Sequence, residues 1–291
     1  MQITALKEVA GVVVLYNPDG NVTSNIDSYL HQVERLFVVD NSEFINKEIV
    51  SKVSSNKKVK YIGNRGNRGV AFALNKGIDA AIEEGFRWLL TMDQDTSLPE
   101  GAVETMYKFG AVSCADNVGL VSPKHIPEQK ESKIDDFVQV SYTMTSGNLL
   151  NLDSVREVGG FIDDLFIDHV DHEFCFRLNR AGYKIFESDG IAIEHKLGED
   201  INKAFLGYKV AVRGHSPFRL FYMVRNGLIV SKIYPEQVEF SKHVWVTILR
   251  ELVKSVFLYE KKYESVKALF RGYQASRKDY KSIIRKVSGA C

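Results

Sequence analysis

The first half of the chain alternates short apolar runs with stretches in which apolar residues recur every three or four positions. The runs are rich in β-branched residues and end at polar clusters, which is typical of strands. They cover residues 9–16, 36–39, 59–62 and 88–92. Helical spacing is found at residues 26–33 and at Ala71, Leu74, Ile78 and Ala81, before a terminating Gly85. Apolar strands separated by helices predict an α/β fold with a mostly parallel central sheet, covered by helices on both faces.

The second half has a mixed pattern that becomes helical towards the C-terminus. Residues 138–145 alternate like a strand, and residues 170–181 carry a helical stripe that Gly182 closes. From Phe218 onwards helical spacing dominates. The stretch from Arg250 to Cys291 is basic, with 11 Lys and Arg against 4 Asp and Glu, a net charge of +7. We therefore expect a basic helical C-terminal extension behind the α/β domain.

Composition places the chain among ordinary globular proteins. Its 291 residues are 45% apolar, and 38 Lys and Arg balance 37 Asp and Glu. This balance argues against a dedicated nucleic-acid-binding protein. Three separated cysteines, Cys114, Cys175 and Cys291, suit neither a disulfide framework nor a CxxC zinc site, and they indicate a reducing, cytoplasmic setting. Since the sequence has neither a signal-peptide pattern nor an uncharged apolar window of about 18 residues, we expect no membrane span.

Polar residues follow three of the predicted strands at the point where each strand ends. They are Asn17, the cluster Asp40-Asn41-Ser42 and the cluster Asp93-Gln94-Asp95. In open parallel sheets, ligands bind beyond the carboxyl ends of the strands. We therefore expect a ligand site at this edge of the sheet.

The pair Asp93 and Asp95 is a candidate for binding a metal ion. Two carboxylates one residue apart can hold a hard divalent cation through oxygen ligands while leaving positions open for substrate phosphates. The alternative is a loop with two solvated acids, one of which caps the next helix. Their position directly after a buried strand favours binding of a metal and a nucleotide.

The segment NRGNRG at residues 64–69 precedes a predicted helix. Glycines let the backbone approach a ligand closely, and a helix N-terminus favours anions. The segment matches neither the GxxxxGK[ST] pattern of P-loop ATPases nor the GxGxxG pattern of dinucleotide sites. A plain turn at the entry to the helix explains it equally well.

The segments VVVLYNP, VVDNS, NRGNRGVAFALNKGI and TMDQD occur in this order and are followed by FIDHVDHEFCFRLNRAG and EHKLG. In this combination the chain resembles the inverting family 2 glycosyltransferases of the GT-A fold. The MDQD and FIDxVDxE patterns are most similar to those of bacterial rhamnosyltransferases. The resemblance covers about residues 9–230 and implies a Rossmann-like nucleotide-diphospho-sugar transferase domain.

The resemblance also implies roles for the side chains at the strand ends. Tyr16 and Asn17 would lie beside the nucleotide base, and Asp40 would bond to the base or the ribose. Asp93 would face the ribose, and Asp95 would hold a divalent cation, Mg²⁺ or Mn²⁺, on the diphosphate. The other residues of the nucleotide pocket would be Asn67, Gly69 and Asn75.

Asp171 is the candidate catalytic base. Related enzymes often have the segment FxEDVDLCxR, and matching it through Cys175 and Arg177 places the aspartate of the ED pair at Asp171. Val170 then replaces the preceding glutamate, and Glu173 is a second acid near the acceptor or the diphosphate. A single displacement needs one carboxylate to take the proton of the acceptor hydroxyl.

A structural role is the alternative for Asp171. Asp168 could be the N-cap of the following helix, with Asp171 as its capping-box partner three residues on. The family motif favours the role of base. By the same matching, Cys175 is expected to be a packed core residue on this helix.

Three further residues take their roles from the resemblance. His195, in EHKLG, is similar to a late GT-A histidine that can reach the metal or the diphosphate, although a lone histidine is as often structural. Arg225 and Asn226, in YMVRN, resemble a recurrent pair and are expected near the diphosphate or the acceptor. For Arg225 the alternative is a cation on a helix surface. His169 and His172 flank Asp171 and are expected at the surface or in the acceptor site.

The resemblance implies transfer of L-rhamnose from dTDP-β-L-rhamnose to a hydroxyl of a surface polysaccharide or lipid-linked glycan, with inversion. One alternative is a family 2 transferase that uses UDP-glucose, UDP-galactose or UDP-N-acetylglucosamine. Another is a non-catalytic module that binds glycans or sugar nucleotides, although the acidic residues that are present disfavour it.

The expected domains are a glycosyltransferase domain over residues 1–230 and a basic extension over residues 231–291. Within the first domain, residues 1–100 would bind the nucleotide and residues 101–230 the acceptor. The basic helices of the extension could dock on an anionic membrane surface at the inner face of the cell membrane. A solvated face or a homodimer contact is the alternative, which the interspersed Glu251, Glu260 and Glu264 slightly favour.

Overall fold

The computed structural model describes residues 6–112, 117–125, 136–193, 201–205, 208–212 and 214–288. The chain divides into two compact units. The first unit holds residues 1–163 and 171–196, and the second holds residues 164–170 and 197–289.

The first unit is built on a sheet of eight strands in the order β3-β2-β1-β4-β7-β5-β8-β6. Only β7 and β6 run antiparallel to their neighbours, so the sheet is mostly parallel as predicted. The strands are β1 Val9–Leu15, β2 Arg35–Asp40, β3 Val59–Gly63, β4 Trp88–Asp93, β5 Val118–Lys124, β6 Phe137–Val140, β7 Asn148–Asn151 and β8 Lys184–Ala192.

Helices follow most of the parallel strands of this unit, as the alternating pattern predicts. Strands β1, β2 and β4 are apolar at almost every position and are buried along nearly their whole length, because the sheet is covered on both faces. The α-helices are α1 Val22–Leu30, α2 Lys47–Ser54, α3 Val70–Glu83, α4 Ala102–Val112, α5 Leu152–Val158 and α6 Val170–Arg180.

The described part of the second unit is mainly helical. It contains a two-stranded antiparallel sheet, β9 Ile201–Phe205 with β10 Tyr208–Val212. Its long helices are α7 Pro217–Ile233, α8 Val238–Phe257 and α9 Lys262–Ser288. They pack around a small apolar core that includes Leu220, Val224, Tyr259 and Leu269. None of the helices in the described residues is long and apolar enough to cross a membrane.

Some predicted boundaries differ from the structure. The helix predicted at residues 26–33 starts and ends earlier, as α1. The helical pattern predicted from Phe218 onwards is confirmed, since the first long helix begins at Pro217. The strand predicted at residues 138–145 ends at Val140. Thr143 and Ser146 are buried beyond that point and bond through their side chains, so side-chain bonds replace the strand ladder there.

Helix α3 lies very close to strand β1, and Gly77 is what allows this approach. A Cβ atom at Gly77 would lie 2.2 Å from Cγ2 of Val12, a side chain that is fully buried in the sheet. The glycine therefore sets the spacing between the helix and the strand that ends at the predicted nucleotide site.

We expect Gly77→Ala to lower the free energy of unfolding by about 2 kcal/mol. Overpacking costs about 1–3 kcal/mol and a contact this short belongs at the upper end, while alanine recovers about 1 kcal/mol of helix propensity. Urea unfolding measures the change. Gly20→Ala is the matched control, since a Cβ at Gly20 meets nothing within 4 Å, and it should change stability little. Equal effects of the two substitutions would contradict the close packing.

Candidate active site

The carboxyl ends of four neighbouring strands meet at one edge of the first unit's sheet. Strand register pairs Leu15 of β1 with Asp40 of β2, and Asp40 in turn with Gly63 of β3. On the other side of β1, Val14 pairs with Asp93 of β4. The predicted polar clusters after these strands are therefore brought to one edge, where open α/β sheets bind ligands.

The end of β1 is tied to the end of β4 by side-chain bonds. Gln94 accepts a hydrogen bond from the backbone N–H of Tyr16 at 2.8 Å and donates one to its carbonyl at 3.1 Å. Asn25 donates to the carbonyl of Gln94 at 2.9 Å. These bonds leave the Tyr16 side chain exposed at the edge. Gln94 therefore positions the segment for which a base contact is predicted.

Asn17 follows in an unusual backbone conformation. Its φ is 45°, in the left-handed region that asparagine tolerates better than most residues. Its backbone N–H donates to Oγ of Ser42 at 2.8 Å, which links the end of β1 to the cluster after β2. The conformation is therefore fixed by a specific bond rather than by the loop alone.

Asp40 is almost completely buried, and both its oxygens have partners. Oδ1 accepts from the backbone N–H of Ser42 at 2.8 Å, and Oδ2 accepts from the hydroxyl of Tyr61 at 2.9 Å. Burial and the bond to the Asp40 carboxylate raise the pKa of Tyr61 to about 12, so this phenol stays protonated and continues to donate. Asp40 thus orders the strand ends around it, and its contact with a base or ribose remains a prediction.

The segment at residues 64–69 is held from both sides before α3 begins. Asn67 Oδ1 accepts from the N–H of Gly69 at 3.0 Å, and Asn41 donates from its amide to the carbonyl of Gly69 at 2.9 Å. Gly69 occupies the N-cap position with a φ of 89°, which a side chain would disfavour. The loop therefore presents backbone groups at a helix N-terminus beside the cluster of β2.

Asn75 makes three hydrogen bonds to the segment before the second unit. Its amide nitrogen donates to the carbonyl of Phe161 and to Oδ1 of Asp163, both at 2.7 Å. Its Oδ1 accepts from the N–H of Phe161 at 2.8 Å. Residue 160 is a glycine, and a Cβ there would meet Asn75 Oδ1 at 2.4 Å. These bonds clamp α3 to residues 160–163, and the lining of a nucleotide pocket by Asn75 stays a prediction.

Asp93 and Asp95 lie at the end of β4 and differ in exposure. Asp93 is half-buried, and its backbone N–H donates to Oγ of Ser146 at 3.0 Å. Asp95 is exposed, with Thr96 Oγ1 near its Oδ1 at 3.4 Å. Among the described residues no three His, Cys, Asp or Glu side chains come together as a metal site. The predicted ligand His195 lies outside the described residues, so its role stays a prediction.

Asp171 lies in the first turn of α6 and is paired with the next residue. Its Oδ1 accepts from the backbone N–H of His172 and lies 2.8 Å from Nδ1 of the same residue. The imidazole of His172 packs against the rings of Tyr142 and Phe176. About a fifth of the Asp171 side chain is exposed. The carboxylate is therefore both oriented and accessible, which suits the predicted base.

The alternative role of Asp171 in a capping box does not fit the helix start. Asp168 has a φ of 60° and lies two residues before the first helical residue, Val170, so it is not at the N-cap position. Its carboxylate instead accepts from Arg219, with Oδ1 3.1 Å from both Nε and Nη2.

The predicted packing of Cys175 is confirmed, since this thiol is buried, and burial raises its pKa to about 12.

Glu173 lies in the first turn of α6 and is fully buried. Its two oxygens accept from Nε and Nη2 of Arg177 at 3.0 and 2.9 Å. Arg177 also donates to the carbonyls of Val158, Gly159 and Gly160. This burial argues against the contact with acceptor or diphosphate that was expected for Glu173, because its oxygens face the protein interior.

In the second unit, Arg225 and Asn226 hold the loop at residues 164–170. Asn226 donates from its amide nitrogen to the carbonyls of Leu165, Ile167 and Asp168 at 2.6, 2.7 and 3.0 Å. Arg225 donates to the carbonyl of Asp164 and, through Nε, to Asp279, both at 2.8 Å. Both side chains are buried, so the surface-cation alternative for Arg225 is wrong. A contact with diphosphate or acceptor stays a prediction.

The loop that this pair holds has an unusual backbone. Phe166, Asp168 and His169 all have φ values of 60–63°, in the left-handed region. The ring of Phe166 stacks on Tyr222 of α7 with centroids 5.0 Å apart. The amide of Asn226 thus supports a strained segment through its carbonyl groups, which explains why a buried asparagine stands there.

The arrangement of these elements defines the fold class of the protein. The eight-stranded, mostly parallel sheet, with acidic residues at the carboxyl ends of β2 and β4, has the GT-A fold. The chain belongs to glycosyl transferase family 2, whose model matches residues 12–162, and it is a glycosyltransferase.

Individual relatives agree with this assignment. The chain is 27% identical over 242 residues to the dTDP-rhamnosyl transferase RfbF of Shigella flexneri. The match covers 76% of this chain and 79% of RfbF. The Staphylococcus aureus TarS 1-349 structure with UDP-GlcNAc has a TM-score of 0.59 over 97% of this chain and 88% of its own, at 13% identity. A structure of GalNAc-T7 with UDP, GalNAc and Mn²⁺ has a TM-score of 0.60 over 95% of this chain, which spans 58% of that chain, at 13% identity. The two structures confirm the fold.

We expect Glu173→Ala to lower the free energy of unfolding by about 3–5 kcal/mol, because it leaves the buried Arg177 without its carboxylate. Urea unfolding measures the loss. The matched control is Glu104→Ala, which breaks a more exposed pair with Lys108 at the same four-residue spacing and should cost about 0.5 kcal/mol or less. A loss at Glu173 as small as that at Glu104 would contradict the structural role and return Glu173 to the acceptor site.

Proposed function

We propose that this glycosyltransferase transfers L-rhamnose from dTDP-β-L-rhamnose, with inversion, to a hydroxyl group of a surface polysaccharide or a lipid-linked glycan. The observation that carries the donor is the likeness to the dTDP-rhamnosyl transferase RfbF over most of both chains. The MDQD and FIDHVDHE segments of this sequence support the same donor. The cytoplasm is the proposed location, which agrees with the free, buried thiol of Cys175.

The nucleotide is proposed to bind at the shared edge of β1, β2 and β4. The exposed ring of Tyr16 can stack on a base there, and the N-terminus of α3 after Gly69 offers backbone N–H groups to an anion. Asp40 and Asp93 are the carboxylates closest to this edge in the strand register. Together these groups supply an aromatic face, hydrogen-bond acceptors and anion-binding donors, which a nucleoside diphosphate needs.

A divalent cation, Mg²⁺ or Mn²⁺, is proposed at Asp95 with help from Asp93. Mg²⁺ in such sites is commonly held by one or two carboxylates together with substrate phosphates, so two acids without a third protein ligand fit it. The exposure of Asp95 at the strand end leaves room for a diphosphate. When bound, the cation would neutralise negative charge on the departing nucleoside diphosphate. GalNAc-T7, which shares the fold, was crystallised with UDP and Mn²⁺.

Asp171 is proposed to take the proton of the acceptor hydroxyl. In one displacement the hydroxyl oxygen bonds to the anomeric carbon, the bond from that carbon to the diphosphate oxygen breaks, and the proton passes to Asp171. With its proton on Nδ1, His172 donates to Oδ1 of Asp171 and so fixes the carboxylate. One base is sufficient, because the diphosphate leaves as an anion without needing an acid.

We expect dTDP-rhamnose to turn over faster than UDP-glucose, UDP-galactose or UDP-N-acetylglucosamine. The measurement is the initial rate of nucleoside diphosphate release in Mg²⁺ or Mn²⁺, with the freed sugar identified by NMR. Chelation should lower the rate, and the cation should restore it. Faster turnover of a UDP-sugar would overturn the donor and leave the family assignment intact.

Two substitutions test whether Asp95 holds the cation or only adds negative charge to the surface. Loss of an outer-sphere partner of a metal ligand typically costs about 10–100-fold, so Asp95→Ala should weaken cation-dependent donor binding at least that much. Glu100→Ala removes another exposed carboxylate close in sequence and should leave binding unchanged. If the two variants bind donor equally well, Asp95 does not hold the cation.

We expect Asp171→Asn to lower kcat by about 10²–10⁴-fold, since an amide cannot accept the proton of the hydroxyl. Donor Kd should hardly change, because the residue is proposed to face the acceptor. Stability should change by about 1 kcal/mol or less, since asparagine serves well near a helix start. Steady-state kinetics, donor titration and thermal unfolding on one preparation measure all three.

The control for this substitution is Asp153→Asn, which changes an exposed acid in the first turn of α5 in the same way. It should leave kcat, donor Kd and stability close to those of the unmodified protein. A near-normal kcat in Asp171→Asn would remove this residue from the mechanism. A large loss of stability without a kinetic defect would instead assign it to the structure of α6.

A further inference from the structure

Helix α8 has an outer face that is apolar along most of its length. The face consists of Trp245, Val246, Leu249, Leu252, Val253 and Val256, each between 40 and 63% exposed. At 100° and 1.5 Å per residue, these side chains fall within an arc of about 120° and extend over about 17 Å. The opposite side of the helix is packed against the protein, since Phe240, Val244 and Ser255 are buried. The helix is thus apolar on the side that faces solvent.

The apolar face of α8 carries no negative charge. Glu251 is the one acid between Trp245 and Val256, and it is almost fully buried. It accepts hydrogen bonds from the hydroxyl of Tyr259 and from Lys254 inside the second unit. The charged side chain that remains exposed along this part of the helix is Arg250, which lies at the border of the face. The helix therefore presents apolar side chains bordered by a cation.

Helix α9 adds exposed cations and aromatic rings. Its exposed aromatic residues are Tyr263, Phe270 and Tyr273. Its exposed basic residues include Lys267, Arg271, Arg277, Lys278, Lys281 and Arg285. The helix has two acids: Asp279 is paired with Arg225, and Glu264 is exposed in the first turn. Cations and aromatic rings of this kind favour the zone where lipid headgroups meet acyl chains.

We propose that α8 and α9 bind the surface of an anionic lipid bilayer, with the apolar face of α8 inserted among the headgroups. Residues 250–291 carry a net charge of +7, which attracts an anionic surface over a range of about a Debye length. A second copy of the chain would bring two such charges together, so the charge favours lipid over a homodimer. The inference rests on the helices alone and holds whatever sugar is transferred.

The two tryptophans of the chain make the test specific. Trp245 is 55% exposed on the apolar face, while Trp88 is buried in the sheet of the first unit at 4% exposure. The full chain is titrated with vesicles of phosphatidylcholine, and with vesicles in which about a third of the lipid is phosphatidylglycerol. We expect a blue shift of tryptophan emission and co-sedimentation with the anionic vesicles. Apparent affinity should be at least about tenfold higher than for neutral vesicles and should fall with added salt.

Three variants separate the contributions. Leu249→Ser with Val253→Ser should weaken binding about tenfold or more, because two apolar side chains no longer leave water. Lys267→Glu with Arg271→Glu should lower affinity for anionic vesicles much more than for neutral ones. Val112→Ser is the control, an apolar residue of the first unit that is 72% exposed, and it should bind like the unmodified protein. Thermal unfolding checks that each variant folds.

The proposal is overturned if the unmodified protein binds neither vesicle, or if the Leu249/Val253 variant binds as well as the control. It is also overturned if light scattering shows a dimer that this variant dissociates while vesicles remain unbound. That outcome would assign the apolar face to a contact between two copies. Because no donor or acceptor is present in the assay, its result is independent of the proposed transfer reaction.

Discussion

The parallel register of β1 with its two neighbours is the constraint on which the site depends. Asp40 and Asp93 are more than fifty residues apart, and each pairs in register with the last residues of β1. Parallel strands place their carboxyl ends at one edge, so the loops that follow them converge. Packing keeps that register, because β1 is buried on both faces between α3 and the rest of the core. A slip of one residue would turn these acids to the opposite face of the sheet.

The ends of β1 and β2 are held by hydrogen bonds to neighbouring side chains. Gln94, Ser42 and Tyr61 carry out much of this work by bonding to Tyr16, Asn17 and Asp40 in turn. Such supporting contacts keep a site in its working geometry before any substrate arrives. The consequence is an edge that is ordered in advance, with the Tyr16 ring and the Asp95 carboxylate among its exposed groups.

The sequence predicted strands β1 to β4 well, because each is a continuous apolar run with a polar end. It did not predict β7, a four-residue strand whose register with β4 depends on a partner far away in the chain. The structural bonds of Asn75 and Asn226 were also out of reach, because most of them join backbone groups that almost every residue possesses. The family resemblance therefore predicted ligand contacts for these two amides, and the structure adds a role for each in holding a backbone segment.

The left-handed loop before Asp171 has a consequence for stability. An L-residue in this region gives up about 1–2 kcal/mol relative to its preferred conformation, a cost that glycine avoids. Glycine or asparagine at Phe166 and His169 would reduce that cost. The chain has an aromatic ring and an imidazole there, and the buried Asn226 supports the loop through its carbonyl groups. The loop therefore keeps its shape at a local cost in conformational free energy, which hydrogen bonds from Asn226 help to offset.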